Sequence, residues 1–188
     1  EVNREQIRKS RFIANPGCYP TSVLIPLIPI LRTISSQNTS IIVDAKSGIS
    51  GAGKVLAESN LFVETNENIR PYKIFSHRHQ PEIIDQIEEN NLSCNLTFVP
   101  HILPISRGIL STIYLKNIDE DYKKLRETLE YTYKDDYFVE ILSDGEIPYL
   151  KGVVGTNKIS INIFEDKSSN TIVIISAIDN LIKGAAGQ

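Results

Sequence analysis

The stretch Asn15-Pro16-Gly17-Cys18-Tyr19-Pro20-Thr21 holds the residue best suited to covalent chemistry. Asn-Pro-Gly is a turn signal and an apolar segment follows it, so the turn delivers Cys18 to the start of a helix. Unpaired N–H groups at a helix start favour an anion, and the thiolate of Cys18 is expected to be stabilised there. Such a thiolate attacks carbonyl carbons, and the same amides can hold an oxyanion developing on the substrate. A buried structural cysteine fits the same residue types, because free cysteine is among the most buried side chains. Cys94 stands beside Asn95 and Leu96 at a strand start, without turn, histidine or glycine, and reads as structural.

A nucleophilic thiol needs a group that moves its proton. Of the three histidines, His77 and His79 fall in Ser76-His77-Arg78-His79-Gln80-Pro81-Glu82-Ile83, just before a helix. Imidazole, with a pKa near ~6.5, serves as base and as acid. A loop at a helix start suits an active-site edge, and a plain exposed polar loop fits as well. His-x-His also suits zinc, but no cysteine pair accompanies it, and no metal is expected. His101, between Pro100 and Ile102, either supports the fold or lines the site.

Two further stretches suit anions. Ser47-Gly48-Ile49-Ser50-Gly51-Ala52-Gly53-Lys54 resembles a phosphate cradle. It is not a Walker A sequence, since the spacing to Lys54 is wrong and no Ser or Thr follows the lysine. Its glycines let backbone amides approach a ligand, and they equally suit a flexible connection. Arg107, in Pro104-Ile105-Ser106-Arg107-Gly108-Ile109, stands just before a strand, where a guanidinium can grip carboxylate or phosphate with two N–H groups or simply be solvated.

The elements that position these residues follow from periodicity and turn chemistry. Arg11 to Ala14, Ile41 to Ala45, Leu96 to Val99, Ile109 to Lys116, Tyr137 to Leu142, Val153 to Val154, Lys158 to Phe164 and Thr171 to Ser176 read as strands. A buried helix is expected from Tyr19 to about Arg32, kinked or ended early at Pro26 or Pro29 because each lacks an N–H. Val55 to Phe62 suits a helix. Pro81 to Asn91 reads as a helix with Ile83, Ile84 and Ile87 on its apolar side, and Asp119 to Lys134 as an amphipathic helix capped by Asp119. Strands outnumber helices without alternating with them. The expected fold is therefore α+β, a mixed, largely antiparallel sheet with helices packed on one face. No Gly-x-Gly-x-x-Gly follows an early strand, so no dinucleotide-binding fold is visible.

Composition sets the outer limits. The 188 residues suffice for one domain, read as a single unit over 1–188, and 41% hydrophobic with 23% charged residues is ordinary for a globular protein. A net charge of -3 leaves no basic excess for a nucleic acid. The longest apolar run, Val23 to Leu31, carries Pro26 and Pro29 and is too short for a bilayer, so no membrane partner is expected. Two lone thiols suggest a reducing, cytoplasmic setting. The absence of methionine, and an end at Gly187-Gln188 soon after a helix start, suggest a piece of a longer protein.

Taken together, NPGCYPT, SGISGAGK, HRHQPEI, VPHILPISRGI, VVGTN and DNLIKGAAGQ stand in the order of N-acetyl-gamma-glutamyl-phosphate reductases, and the chain resembles that family from about Arg11 to Gln188. The resemblance implies NADPH-dependent reduction of an acyl phosphate to N-acetylglutamate semialdehyde and phosphate, in arginine biosynthesis. It implies a second-domain fold like that of glyceraldehyde-3-phosphate and aspartate-semialdehyde dehydrogenases. It also implies a homo-oligomer, dimer or tetramer. By position Cys18 matches the nucleophile and His79 the acid/base, with His77 its companion; which histidine does which job stays open. Arg107, Ser47 and Arg78 match substrate contacts, and Gly48, Ser50 and Asn15 cofactor contacts. The family's NADP-binding Rossmann domain and final helix are not among these residues, so the chain is expected to carry the nucleophile without turnover. Three other readings remain. They are an aspartate-semialdehyde or related phosphorylating dehydrogenase, which HRHQPEI argues against, a Cys18–His79 hydrolase, and a non-catalytic assembly module.

Overall fold

The computed structural model describes residues 4–35, 39–54, 56–90, 92 and 95–188. In chain order these form α1 (Arg4–Lys9), α2 (Cys18–Thr33), β1 (Ser40–Gly48), α3 (Phe62–Thr65), β2 (Arg70–Pro71), α4 (His79–Glu89), β3 (Asn95–Leu103), β4 (Ile109–Lys116), α5 (Tyr122–Tyr133), β5 (Val139–Ile141), β6 (Ile159–Asp166) and β7 (Thr171–Ile178). Short 3-10 turns at Ile49–Ala52, Glu58–Asn60 and Leu150–Gly152 and a π turn at Ile182–Ala186 complete them.

One sheet joins all seven strands in the order β2-β3-β1-β4-β7-β6-β5. β1/β3 and β5/β6 run parallel, and the other four pairs are antiparallel. The mixed, largely antiparallel α+β fold expected from the sequence is what forms. Alternation along each strand decides the faces. Ile41 and Val43 of β1, Ile113 and Leu115 of β4, and Ile172 and Ile174 of β7 turn to one side and are buried. There they meet Val23, Leu27, Ile30 and Leu31 of α2, Ile83 and Ile87 of α4, and Leu125 and Leu129 of α5. On the opposite side Ile42, Leu110, Tyr114, Val173 and Ile175 stay half-exposed, beside Asp44, Lys46 and His101.

Pro26 and Pro29 do not end α2 early, one of the two outcomes expected there: the helix continues to Thr33. Each proline withholds the N–H that would pair four residues back, orphaning the carbonyls of Ser22 and Ile25. Both carbonyls find other donors. The Ser176 hydroxyl on β7 donates to Ser22 O at 2.6 Å, and the Tyr133 hydroxyl at the end of α5 donates to Ile25 O.

Other boundaries also differ. Arg11–Ala14 is exposed and unpaired in any sheet, so it is no strand. Val55 lies outside the described residues, and in place of one helix the segment after it forms the Glu58–Asn60 turn and α3. Val153 and Val154 sit in a turn after Leu150–Gly152. The cap of α5 is Asp121, whose carboxylate accepts the Lys123 N–H at 2.7 Å, rather than Asp119. Helix α4 opens at His79, two residues before Pro81, which still falls in the first turn. The two-residue edge strand β2 carried no sequence signal, its length being too short for alternation to register.

Candidate active site

Gly17 caps α2 in an extended conformation, which places Cys18 at the first helical position. Thr21 N–H already pairs with Gly17 O, and Pro20 has no N–H, so the free donors at this helix start are the amides of Cys18 and Tyr19. Both draw the pKa of the Cys18 thiol down, as does the charge of Arg78. Burial outweighs them and pushes the thiol above its ordinary value, with the negative charge of Glu82 adding to the rise. The stabilised resting thiolate expected from the turn is therefore not what forms: the amides are in place, but desolvation of the sulfur costs more than they return. Cys94 lies outside the described residues.

His79 is 7% exposed and its ring lies flat against the turn, so that a β-carbon added to Gly17 would come within 2.5 Å of His79 Nε2. No side chain larger than hydrogen fits between the two motifs. Glu82, one turn further along α4, accepts the Gly17 N–H at 2.8 Å. Two stretches more than sixty residues apart in sequence thus meet at one glycine. His79 Nδ1 is buried with no hydrogen-bond partner. Burial, with the nearby charges of His77 and Arg78, brings the His79 pKa down to about 4, so the ring is a neutral base near pH 7.

His77 is wired differently. Its Nδ1 accepts the His79 N–H at 3.1 Å, which puts the ring proton on Nε2. Nε2–H then donates to the Tyr72 hydroxyl at 3.2 Å, Tyr72 to the Tyr19 hydroxyl at 3.3 Å, and Tyr19 to the His101 carbonyl at 3.4 Å. Edge contacts with Tyr19, Tyr72 and Phe98 surround the ring. Burial first, then Lys73 and Arg78, lowers its pKa to about 4. Both nitrogens are occupied, and the ring orients the start of α4.

The remaining sequence candidates surround this pair at different distances. Arg78 is exposed at the cap of α4, and its charge reaches Cys18, His77 and His79 alike. At the other end of the site, Gly184 packs so closely on Cys18 that a β-carbon there would lie 2.7 Å from Cys18 Cβ, and Asn15 Nδ2 donates to Ala185 O at 3.4 Å. Ser47 is buried with its hydroxyl on Gly48 O at 3.0 Å. The amides of Gly48, Ile49 and Ser50 pair with the carbonyls of Gly108, Ile105 and Ser106, so these three are not free to cradle a phosphate. Gly48 is glycine because a β-carbon would strike the Ser106 carbonyl at 2.8 Å.

Arg107 joins a knot that sequence reasoning missed. One of its nitrogens donates to Asp179 at 3.2 Å. Asp179 also accepts the N–H groups of Gly155 at 2.8 Å, Leu181 at 2.8 Å and Ile182 at 3.1 Å. Asn180 accepts Gly108 N–H at 2.7 Å and donates to Ser50 Oγ at 3.0 Å. The Asp-Asn pair at the end of the last strand was the available signal. Among the described residues, no three of His, Cys, Asp and Glu stand close enough to share a metal ion, and no helix is long and apolar enough to cross a membrane.

The α+β fold that carries this thiol and imidazole is shared with known proteins. The family described as "semialdehyde dehydrogenase, dimerisation domain" matches residues 18–180. The chain belongs to this family. Aspartate semialdehyde dehydrogenases are among its structural neighbours. Aspartate semialdehyde dehydrogenase II of Vibrio cholerae superposes with a TM-score of 0.76 at 18% identity, over 98% of this chain and 63% of that one. The Francisella tularensis aspartate semialdehyde dehydrogenase does so with 0.69 at 13%, over 98% and 64%. These likenesses establish the fold. Curated relatives are closer in sequence. The proteins named N-acetyl-gamma-glutamyl-phosphate reductase from Caldicellulosiruptor bescii and Ehrlichia canis are each 48% identical, and that from Clostridium botulinum 47%. Each match takes in 100% of this chain, which spans 55% of the relative's length.

Proposed function

We propose that these residues form the catalytic and subunit-contact part of an N-acetyl-gamma-glutamyl-phosphate reductase, with Cys18 as nucleophile and His79 as the group that moves its proton. The observation that carries this reading is the meeting at Gly17: sulfur on the α2 amides, neutral imidazole against the same turn. Attack of Cys18 Sγ on the acyl-phosphate carbonyl forms the C–S bond. The C–O bond to phosphate breaks, leaving a thioester and inorganic phosphate. The thiol proton goes to His79, whose lowered pKa keeps it in the accepting form at neutral pH. As the sulfur engages carbon, the amides of Cys18 and Tyr19 are placed to hold the developing oxyanion. His77, with both nitrogens occupied, orients His79 and does not exchange protons.

Arg78, with its charge over the thiol, suits the phosphate of the substrate, and Arg107 keeps donors beyond its Asp179 contact for a second anionic group. Ser47 frames the same pocket edge. NADPH, when bound, supplies the hydride that takes the thioester to the aldehyde. Because the Gly48 and Ser50 amides are bonded within the fold, this chain offers that cofactor little beyond the side chains of Ser50 and Asn15. The chain alone is therefore expected to acylate without reductase turnover. The half-exposed apolar face opposite the helices suits a second copy, consistent with the family's description as a dimerisation domain.

Incubation with acetyl phosphate, followed by peptide mass spectrometry, tests the chemistry. An acetyl group that is released by hydroxylamine and lost in C18S is expected on Cys18. Acetylation confined to Cys94, or none at all, would overturn the assignment. Hydrolysis of a simple thioester without nicotinamide would favour a cysteine hydrolase. NADPH fluorescence titration should show only weak binding, and sedimentation reads self-association.

A further inference from the structure

We propose that Glu82 is a positioning residue for the nucleophile: its carboxylate grips the Gly17 N–H and so fixes the Cys18 turn against the His79 helix. The inference rests on the reading of Cys18 as nucleophile given above. Glu82 and His79 are three residues apart in the first turn of α4, which puts them on one side of that helix. Both reach the same residue. The ring abuts the Gly17 α-carbon and the carboxylate takes the Gly17 N–H at 2.8 Å.

The bond has a specific consequence for the donors at the start of α2. Gly17 N–H is the amide immediately before the pair that serves the sulfur. With Glu82 on it, the turn cannot rotate to offer that amide elsewhere, and the Cys18 and Tyr19 amides stay aimed at sulfur. Gly17 O is tied as well, by the Thr21 amide and hydroxyl, both at 2.9 Å. The two peptide planes that flank the Gly17 α-carbon are therefore each held, one by Glu82 and one by Thr21, and of these two holders Glu82 comes from the histidine-bearing helix.

The carboxylate also acts on the thiol through space. Its charge opposes the thiolate, while Arg78 favours it; His79, His77, Tyr19 and Tyr72 are the other titratable groups around the sulfur. Position and charge thus pull in opposite directions, and this separates them experimentally. Glu82→Gln keeps an oxygen for the Gly17 N–H and removes the charge. Glu82→Ala removes both.

The test measures acetylation of Cys18 by acetyl phosphate, and alkylation of Cys18 by iodoacetamide against pH, in the 188-residue chain and both variants. E82Q is expected to acetylate at close to the wild-type rate, with its alkylation midpoint moved down by about half a unit, roughly threefold more thiolate at a given pH. E82A is expected to acetylate at least tenfold more slowly at every pH. An E82A rate equal to wild type overturns the proposal, and so does an E82Q rate as low as that of E82A, because the charge and not the bond would then matter. If E82A does not fold, the Gly17 amide proton decides. It should resonate far downfield in wild type and stay within a few tenths of a ppm in E82Q, and a random-coil position in folded wild type overturns the proposal. Failure of the wild type itself to acetylate would count against the nucleophile reading, with the Gly17 resonance still judging Glu82.

Discussion

Two buried polar clusters, the Asp179–Asn180 knot and the start of α2, are paired to different extents. In the Asp179–Asn180 knot the two side chains, 0% and 2% exposed, tie Gly155, Leu181, Ile182, Gly108, Ser50 and Arg107 together, with Arg107 Nε left buried and unpartnered beside them. At the start of α2 the polar groups have capacity left over. His79 Nδ1 is buried and unpartnered, and burial raises the pKa of the Cys18 thiol against the pull of the Cys18 and Tyr19 amides. Side chains whose acceptor atoms are each engaged are held in place, whereas a buried imidazole nitrogen left unpaired carries an energetic cost and can take a ligand or a proton. On this reasoning the knot supports the loops around the candidate site, and the α2 start is where the proposed chemistry is assigned.

The largest expected effect breaks the knot. Asp179→Ala removes the acceptor for three amides and leaves Arg107 without its carboxylate, so a loss of about 3–5 kcal/mol is expected. Urea unfolding measures it. A variant that kept wild-type stability but lost acetylation would show that the knot is part of the chemistry and would erase the contrast.

The second effect sharpens the other side of the comparison. Both imidazoles titrate at about 4 in the fold against 6.5 in the free side chain. A lowered histidine pKa contributes stability that is complete above the unfolded value and lost as pH falls through the folded one, because the unfolded chain takes up the proton first. Stability should therefore fall between pH 6.5 and 4, with the His79 share on the order of 3 kcal/mol. His79→Gln should flatten that part of the profile in urea titrations at fixed pH. An unchanged slope would mean that the ring is not desolvated in the fold.

How much of this was legible follows from the range over which each signal acts. The alternation of β4 and the amphipathic α5 are local, and both were readable. The turn before Cys18 and the histidines at the start of α4 are also local chemistry, and the fold brings these two stretches together. The protonation state of Cys18 was not readable, because it depends on burial by elements from the whole chain. Glu82 was overlooked because its partner Gly17 is 65 residues away, and Asp179 because its partners are scattered over three segments, at Arg107, Gly155 and Leu181–Ile182. A cradle for phosphate was suggested by the glycines of SGISGAG, yet what they accommodate is the close approach of the 105–108 loop.

The smallest effect concerns the prolines of α2, where sequence rules were followed locally and overridden from afar. Ser176 is 154 residues from the carbonyl it satisfies, and Tyr133 is 108 from its own, so no window around Pro26 or Pro29 could reveal either. Ser176→Ala should cost about 1–2 kcal/mol, since it leaves a buried carbonyl without a donor. If the proline is the cause, the cost must depend on it. In a Pro26→Ala background the helix regains its own N–H for Ser22 O, and Ser176→Ala should then cost roughly half a kcal/mol or less, a coupling that a double-mutant cycle in urea reads directly. Equal costs in both backgrounds would mean that Ser176 serves the sheet and not the helix. The uninterrupted run of α2 beneath Cys18 would then need another explanation.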